Sequence, residues 1–281
     1  MEKEKNNGKY DERNKLNDLT GKEWLLSTKS FFLSTKCADD KDAFGHPAPF
    51  LIKDIERMIA MFTKKNMTVF DPFMGSGTTA IASFNLGRKS IGIDLNSEYK
   101  ELALTRFSKK GMKENVDYQY FVADSLIKTA DIDDVDYIIT SPPYHNILKN
   151  DSKGIRDDKS QKGYRNGSRL GVEYYSDDKN DLGNQESYES FLNLFAKIMS
   201  EAYKKLKNKK YCSIVISDFT VDKKETCVQS DIVHIMGKIG FSFVGTIILL
   251  QDNKPLYPFG YPYRFKINHM HQNIINFIKE D

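Results

Sequence analysis

Residues 69–80, VFDPFMGSGTTA, pass from an apolar strand-like run through Gly75 and Gly77 into a helix-like segment starting near Thr78. A strand that turns through glycines into a helix is the opening unit of an α/β sheet. The glycines let a ligand approach the backbone, and the N–H groups of the helix start suit a polar or anionic group. By itself the Gly-x-Gly is weak. The lysine of a phosphate-binding loop is missing, as is the third glycine of a dinucleotide fingerprint, so a tight packing turn is an equal reading of this stretch alone. The runs that follow add weight. Asp94 closes the next strand-like run, SIGIDL, 23 residues after Asp71, and Asp124 closes a third, YFVADS. Carboxylates at three successive strand ends lie along the edge where open α/β sheets bind ligands, and one at Asp94 can accept hydrogen bonds from vicinal ribose hydroxyls. Any one of them alone is as readily a helix cap.

Working outward, strand-like runs at 67–73, 89–95, 118–124, 134–140, 211–219, 241–250 and 273–279 alternate with segments at 50–63, 77–86, 97–110, 187–207 and 228–239. Those segments carry apolar residues at helical spacing, such as Phe191, Leu194, Phe195 and Met199. This alternation predicts an α/β domain with a mainly parallel sheet. A polar stretch over 145–185 interrupts it and reads as an insertion. The mixed-charge residues 1–17 read as a flexible arm, leaving 18–281 as one domain.

Composition narrows the class. The chain has 281 residues, 40% hydrophobic and 29% charged, and its longest apolar run is far too short to span a bilayer. No secretory pattern precedes it, so a cytoplasmic protein with no membrane partner is expected. Cys37, Cys212 and Cys227 form no CxxC pair, and the His269-x-His271 spacing lacks an evident third ligand, so neither a disulfide framework nor a metal site is expected. A net charge of +3 leaves any polyanion binding to local patches.

The fourth run, DVDYIIT, ends directly in Ser141-Pro142-Pro143-Tyr144. Two prolines hold their own backbone angles and restrict Ser141, so that a carbonyl and a hydroxyl can be aimed together. Rigid acceptors suit an exocyclic amino group. Its lone pair is delocalised into the base, and hydrogen bonds from its N–H groups favour a nitrogen with that pair free. Tyr144 supplies a ring on which a base can stack.

With DPFMGSGTT and TSPPY in place, together with GHPAPF at 45–50, the sequence resembles the S-adenosylmethionine-dependent amino-group DNA methyltransferases, the N4-cytosine and N6-adenine family of restriction-modification systems. Looser matches are LTGKEWLLSTKSFF near the start, DLGN at 181–184 and INHMHQNIINFIK near the end. The resemblance implies a Rossmann-like class I methyltransferase fold, with a mainly parallel seven-stranded sheet, an antiparallel last strand and helices on both faces. It implies S-adenosylmethionine as cofactor and no metal. His46, Pro47, Asp71, Pro72, Phe73, Gly75, Ser76, Gly77 and Thr78 would surround the methionine part, Asp94 the ribose, and Asp124 with Ser125 the adenine. Ser141, Pro142, Pro143 and Tyr144 would hold a base flipped out of double-stranded DNA. A serine at position 141 resembles the N4-cytosine enzymes more than the N6-adenine ones, and an RNA base is the more distant alternative. A cognate restriction endonuclease or a separate specificity subunit is the partner the resemblance suggests.

One departure concerns order. The cofactor motif precedes the catalytic motif here, whereas many relatives with a DPF-type motif have them reversed, so the usual place of a target-recognition domain is not given. Two stretches are candidates for DNA contact. Between Lys149 and Arg169 the insertion holds seven Lys or Arg against three Asp, with Tyr164, Tyr174 and Tyr175 nearby, and reads equally as a solvated loop or a phosphate-tracking one. The aromatics and Arg264 of YPFGYPYRF, 257–265, suit either a base pocket or a proline-rich turn.

Overall fold

In the computed structural model, residues 8–43, 46, 49–145, 176, 178–222, 224–252 and 254–281 are described. The strands are β1 (Phe31–Leu33), β2 (Thr68–Asp71), β3 (Lys89–Asp94), β4 (Tyr118–Val122), β5 (Val135–Thr140), β6 (Leu206–Ile216), β7 (Phe219–Val221), β8 (Lys224–Thr226), β9 (Ser242–Leu250) and β10 (His271–Lys279). The helices are α1 (Gly21–Ser27), α2 (Ile52–Phe62), α3 (Thr78–Asn85), α4 (Ser97–Lys110), α5 (Ser125–Lys128), α6 (Tyr188–Lys205) and α7 (Val228–Ile239).

Eight strands form one sheet in the order β1-β9-β10-β6-β5-β2-β3-β4, and β7 pairs with β8 as a separate hairpin. Within the eight-stranded sheet, pairings are parallel except that β10 runs antiparallel to both β6 and β9. All seven expected runs are strands of this sheet, and the last is antiparallel as expected. The eighth, β1, is the difference. Its three residues, Phe31-Phe32-Leu33, are all apolar although only Phe32 is buried, so the sequence is too short and too uniform to show the alternation that marks a half-buried strand.

Side-chain alternation along the strands divides the core in two. Val69, Tyr137, Ile139, Val215 and Ile274 face a layer containing Ile55 and Met58 of α2, Ile81 of α3 and Phe107 of α4. Their neighbours Phe70, Ile138, Ile214, Ile216 and Ile275 face a layer containing Phe191, Phe195 and Met199 of α6 and Ile232 and Met236 of α7. Both faces of the sheet are therefore covered, which is why its strands read as nearly continuous apolar runs. Of the expected arm, residues 8–17 are described and lie against α2: buried Asn17 donates from Nδ2 to the Met61 carbonyl at 2.7 Å, and Lys64 Nζ donates to the Tyr10 hydroxyl at 2.9 Å. No helix among the described residues is long and apolar enough to cross a membrane.

Candidate active site

Strand order reverses between β2 and β5, so the chain leaves their carboxyl ends in opposite directions and a crevice opens there. The two expected motifs flank it. Asp71 ends β2, Thr140 ends β5, and the 141–144 tetrapeptide follows directly.

A single carboxylate links the two sides. Asp71 Oδ1 accepts from the Thr140 hydroxyl at 2.5 Å and from the Phe73 N–H at 3.0 Å, while Oδ2 accepts from the Thr79 hydroxyl at 2.6 Å. It is buried, and loss of water pushes its pKa up to about 6 despite these three donors. The turn that follows requires its glycines. Gly75 and Gly77 sit at φ +51° and +79°, and a Cβ on Gly77 would come within 2.5 Å of Phe107 and 2.9 Å of Ala103. A Cβ on Gly75 would meet His46 Nε2 at 2.9 Å, so the imidazole lies against the turn, with its ring 4.4 Å from that of Tyr99.

Asp94 ends β3 and keeps partial solvent contact. It accepts from the Gly75 N–H at 2.8 Å and the Asn96 N–H at 2.9 Å. Loss of water and then the nearby Asp181 and Asp71 charges raise its pKa to about 7. Asp124 caps α5 through the Leu126 N–H and accepts from Asn180 Nδ2 at 3.0 Å. The Ser125 hydroxyl is turned inward and donates to the Pro72 carbonyl at 2.5 Å, tying the end of β4 to the turn after β2. Ser76 and Thr78 are buried, their hydroxyls facing Arg106, whereas Phe73 is half-buried against the α6 layer.

On the β5 side, Pro142 is buried while Ser141, Pro143 and Tyr144 are half-exposed. The Tyr144 hydroxyl accepts from the Ser217 N–H at 2.9 Å and from Gln272 Nε2 at 3.1 Å, and one ring face stacks on Phe219 at 5.4 Å. The ring is thus fixed by β6, β10 and the β7–β8 hairpin together. Pro47 and the residues of the insertion from 146 to 175, including its lysines, arginines and tyrosines, lie outside the described residues.

Three functional candidates were not assigned from sequence. Asp181 is buried, held by Ser176 and the Gly183 N–H, and its charge acts on Asp94. Its only sequence signal was the loose DLGN match. Arg106 is 2% exposed and donates from Nη1 to the Ser76 carbonyl at 2.5 Å and to Thr78 Oγ1 at 3.0 Å, bracing the turn from beneath. Its signal was present: Tyr99, Ala103, Arg106 and Phe107 share one face of α4, and a guanidinium on a buried stripe calls for a specific partner. Thr140 stood in plain view at the end of a buried run, but nothing in the sequence pairs it with Asp71.

Residues 1–105 and 135–281 match the sequence profile of a family described as DNA methylase, the N6/N4 group. Arg106, Asp124 and Ser125 fall in the stretch this match omits. A type II methyltransferase of Lactococcus lactis subsp. cremoris, M2.LlaDCHI, is 44% identical over 70 residues, 25% of this chain and 26% of that protein. An orphan methyltransferase of Bacillus amyloliquefaciens, M.BamHII, is 46% identical over 67 residues, 24% of this chain and 25% of that one. The chain thus spans about a quarter of the length of these curated relatives. Among solved structures, TrmN of Thermus thermophilus shares the fold at a TM-score of 0.51 and 15% identity, covering 86% of this chain and 52% of that one.

Proposed function

The chain belongs to the N6/N4 DNA methylase family, and from that premise we propose that it methylates the exocyclic amino group of a base in DNA, with N4 of cytosine as the target. The observation that carries this reading is the Asp71–Thr140 hydrogen bond, which joins the glycine turn to the Ser-Pro-Pro-Tyr segment across the crevice between β2 and β5.

The donor set suits S-adenosylmethionine. Asp71, Asp94 and Asp181 crowd negative charge at one sheet edge, and burial and mutual repulsion raise the Asp94 pKa to about 7. A ligand carrying sulfonium and ammonium charges relieves that repulsion, and the half-exposed Asp94 carboxylate has lone pairs left for ribose hydroxyls. When bound, this cofactor supplies the methyl group. In this reading His46 and the Gly75–Thr78 turn enclose its methionine end, and Asp124 lies toward its adenine. Ser141 and the Pro142 carbonyl accept hydrogen bonds from the target amino group, orienting its lone pair, and the base rests on the face of Tyr144 opposite Phe219. Turning the base out of duplex DNA is what brings it to this crevice. The serine at position 141 supports cytosine over adenine. A cytoplasmic enzyme paired with an endonuclease of the same site completes the proposal.

The test is nucleoside mass spectrometry of DNA and RNA incubated with the protein and S-adenosylmethionine labelled in its methyl group. Labelled N4-methylcytosine in DNA is expected. N6-methyladenine would keep the family chemistry and overturn the role given to Ser141, and label in RNA alone would overturn the substrate.

A further inference from the structure

The loop between β9 and β10 is unusual in composition. Tyr257, Phe259, Tyr261, Tyr263 and Phe265 occupy every second position, Arg264 lies among them with Lys254 before and Lys266 directly after, and no Asp or Glu occurs from 253 to 279. The outer rings are not buried. Tyr261 is 78%, Tyr263 92% and Phe265 88% exposed. Single exposed apolar residues need no explanation, but a contiguous set of rings marks a binding surface.

The exposure is built rather than slack. Asn268 clamps the neck of the loop, accepting from the Tyr257 N–H and donating to the Tyr257 carbonyl, both at 2.9 Å. At the tip, the N–H groups of Tyr263 and Arg264 both donate to the Gly260 carbonyl, at 2.8 and 2.9 Å. Gly260 has φ +77°, and a Cβ there would lie 2.3 Å from the Arg264 carbonyl oxygen, so the turn admits only glycine. Pro255, Pro258 and Pro262 further restrict the backbone. The result is a self-supporting finger with its rings held in water.

Its root is wired to the crevice. Because β10 is antiparallel to β9, the loop leaves the sheet at the same edge as the strand ends of β2, β3 and β5. Gln251 Nε2, at the end of β9, donates to Gln272 Oε1 at 3.2 Å, and Gln272 Nε2 donates to the Tyr144 hydroxyl at 3.1 Å.

We propose that residues 254–267 form a DNA-contacting wedge, in which Tyr263 and Phe265 stack on bases unstacked beside the target while Arg264 and Lys266 hold the adjoining phosphates. This extends the methyltransferase reading and rests on it for the identity of the polymer. Aromatic faces interleaved with cations and free of carboxylates fit exposed bases and backbone phosphates, and each stacked ring contributes sequence-tolerant affinity. Through Gln251 and Gln272, a loop seated on DNA also steadies the ring of Tyr144.

The test uses the 281-residue chain and fluorescein-labelled oligonucleotides, one single-stranded and one duplex with a single abasic position, read by anisotropy across a salt series. A double variant, Tyr263→Ala with Phe265→Ala, is expected to bind both at least about tenfold more weakly, with its melting temperature and its affinity for S-adenosylmethionine unchanged. Tyr263→Phe with Phe265→Tyr, which keeps the rings, is expected to bind like wild type. Arg264→Ala with Lys266→Ala should reduce the slope of log K against log salt by roughly two. Unchanged DNA binding in the ring-deleted variant overturns the wedge, as does loss of binding to anionic phospholipid vesicles alone. Failure of the two readings separates cleanly. A wild-type protein that binds DNA through these rings yet produces no methylated nucleoside rejects the transfer chemistry and keeps the wedge. Methylation with DNA binding that ignores the rings rejects only the wedge.

Discussion

Replacing Thr140 with valine removes one hydroxyl and almost no volume. That hydroxyl is one of three donors to Asp71, a buried carboxylate whose pKa is raised from 3.8 to about 6. The folded protein therefore holds this proton more tightly than the unfolded chain. The group's contribution to stability is full below about pH 4 and lost as pH rises to about 6, a penalty of roughly 3 kcal/mol above that window. Without the Thr140 donor the ionised form is less well solvated, so the pKa climbs further and the penalty grows on the alkaline side. At pH 8 a hydrogen bond to a charged acceptor is lost, about 1.5–3 kcal/mol, whereas at pH 5 Asp71 is mostly neutral and the loss should be about 1 kcal/mol or less. Urea unfolding of Thr140→Val and wild type at the two pH values measures the difference. An equal loss at both, or none at pH 8, would refute the claim that an ionisable Asp71 is what joins the two motifs.

Three further outcomes follow from the same geometry. Affinity for S-adenosylmethionine, measured by calorimetry, should fall about tenfold from pH 8 to pH 6 as Asp94, with its pKa near 7, takes up a proton; in Asp94→Ala the affinity should be lower throughout and this step absent. Ser141→Ala should bind cofactor as wild type does but transfer methyl groups on the order of 10²–10³ times more slowly, since an acceptor needed mainly at the transition state is removed; a loss confined to cofactor binding would contradict the role. Gly77→Ala combines a left-handed backbone at φ +79° with a Cβ 2.5 Å from Phe107, and should lower stability by more than about 2 kcal/mol by urea or thermal melting.

How far the sequence speaks depends on whether a residue is anomalous in its own strand or helix. Asp94 was legible because a carboxylate at the end of an apolar run stands out locally, and Gly77 because a glycine between strand and helix has a turn to make. The other seven strands of the sheet were legible for the same reason, each run ending at a change of pattern, whereas the three residues of β1 are too few to show one. Tertiary pairings carry no such mark. Ser125 reads as a residue near the adenine, and nothing beside it in sequence marks the Pro72 carbonyl as the acceptor of its hydroxyl. Asp181 lies 87 residues beyond Asp94 and acts on it only because the chain returns there.

The same distinction explains the division of labour at the crevice. Residues that would meet a ligand, such as Asp94, Ser141 and Tyr144, keep part of their surface open, while those that tie elements together, Asp71, Ser125, Arg106 and Thr140, are closed off among protein partners. Asp71 shows why both kinds are needed. Unlike Asp94 it has no open face, and its two oxygens join β2, the start of α3 and the end of β5. The β2–β5 ladder ends at Phe70 and Ile138, and beyond it no main-chain pairing sets the distance between the two halves of the crevice. A buried carboxylate bonded to both sides supplies that link, at the cost in stability above pH 6 that the Thr140 substitution is designed to read.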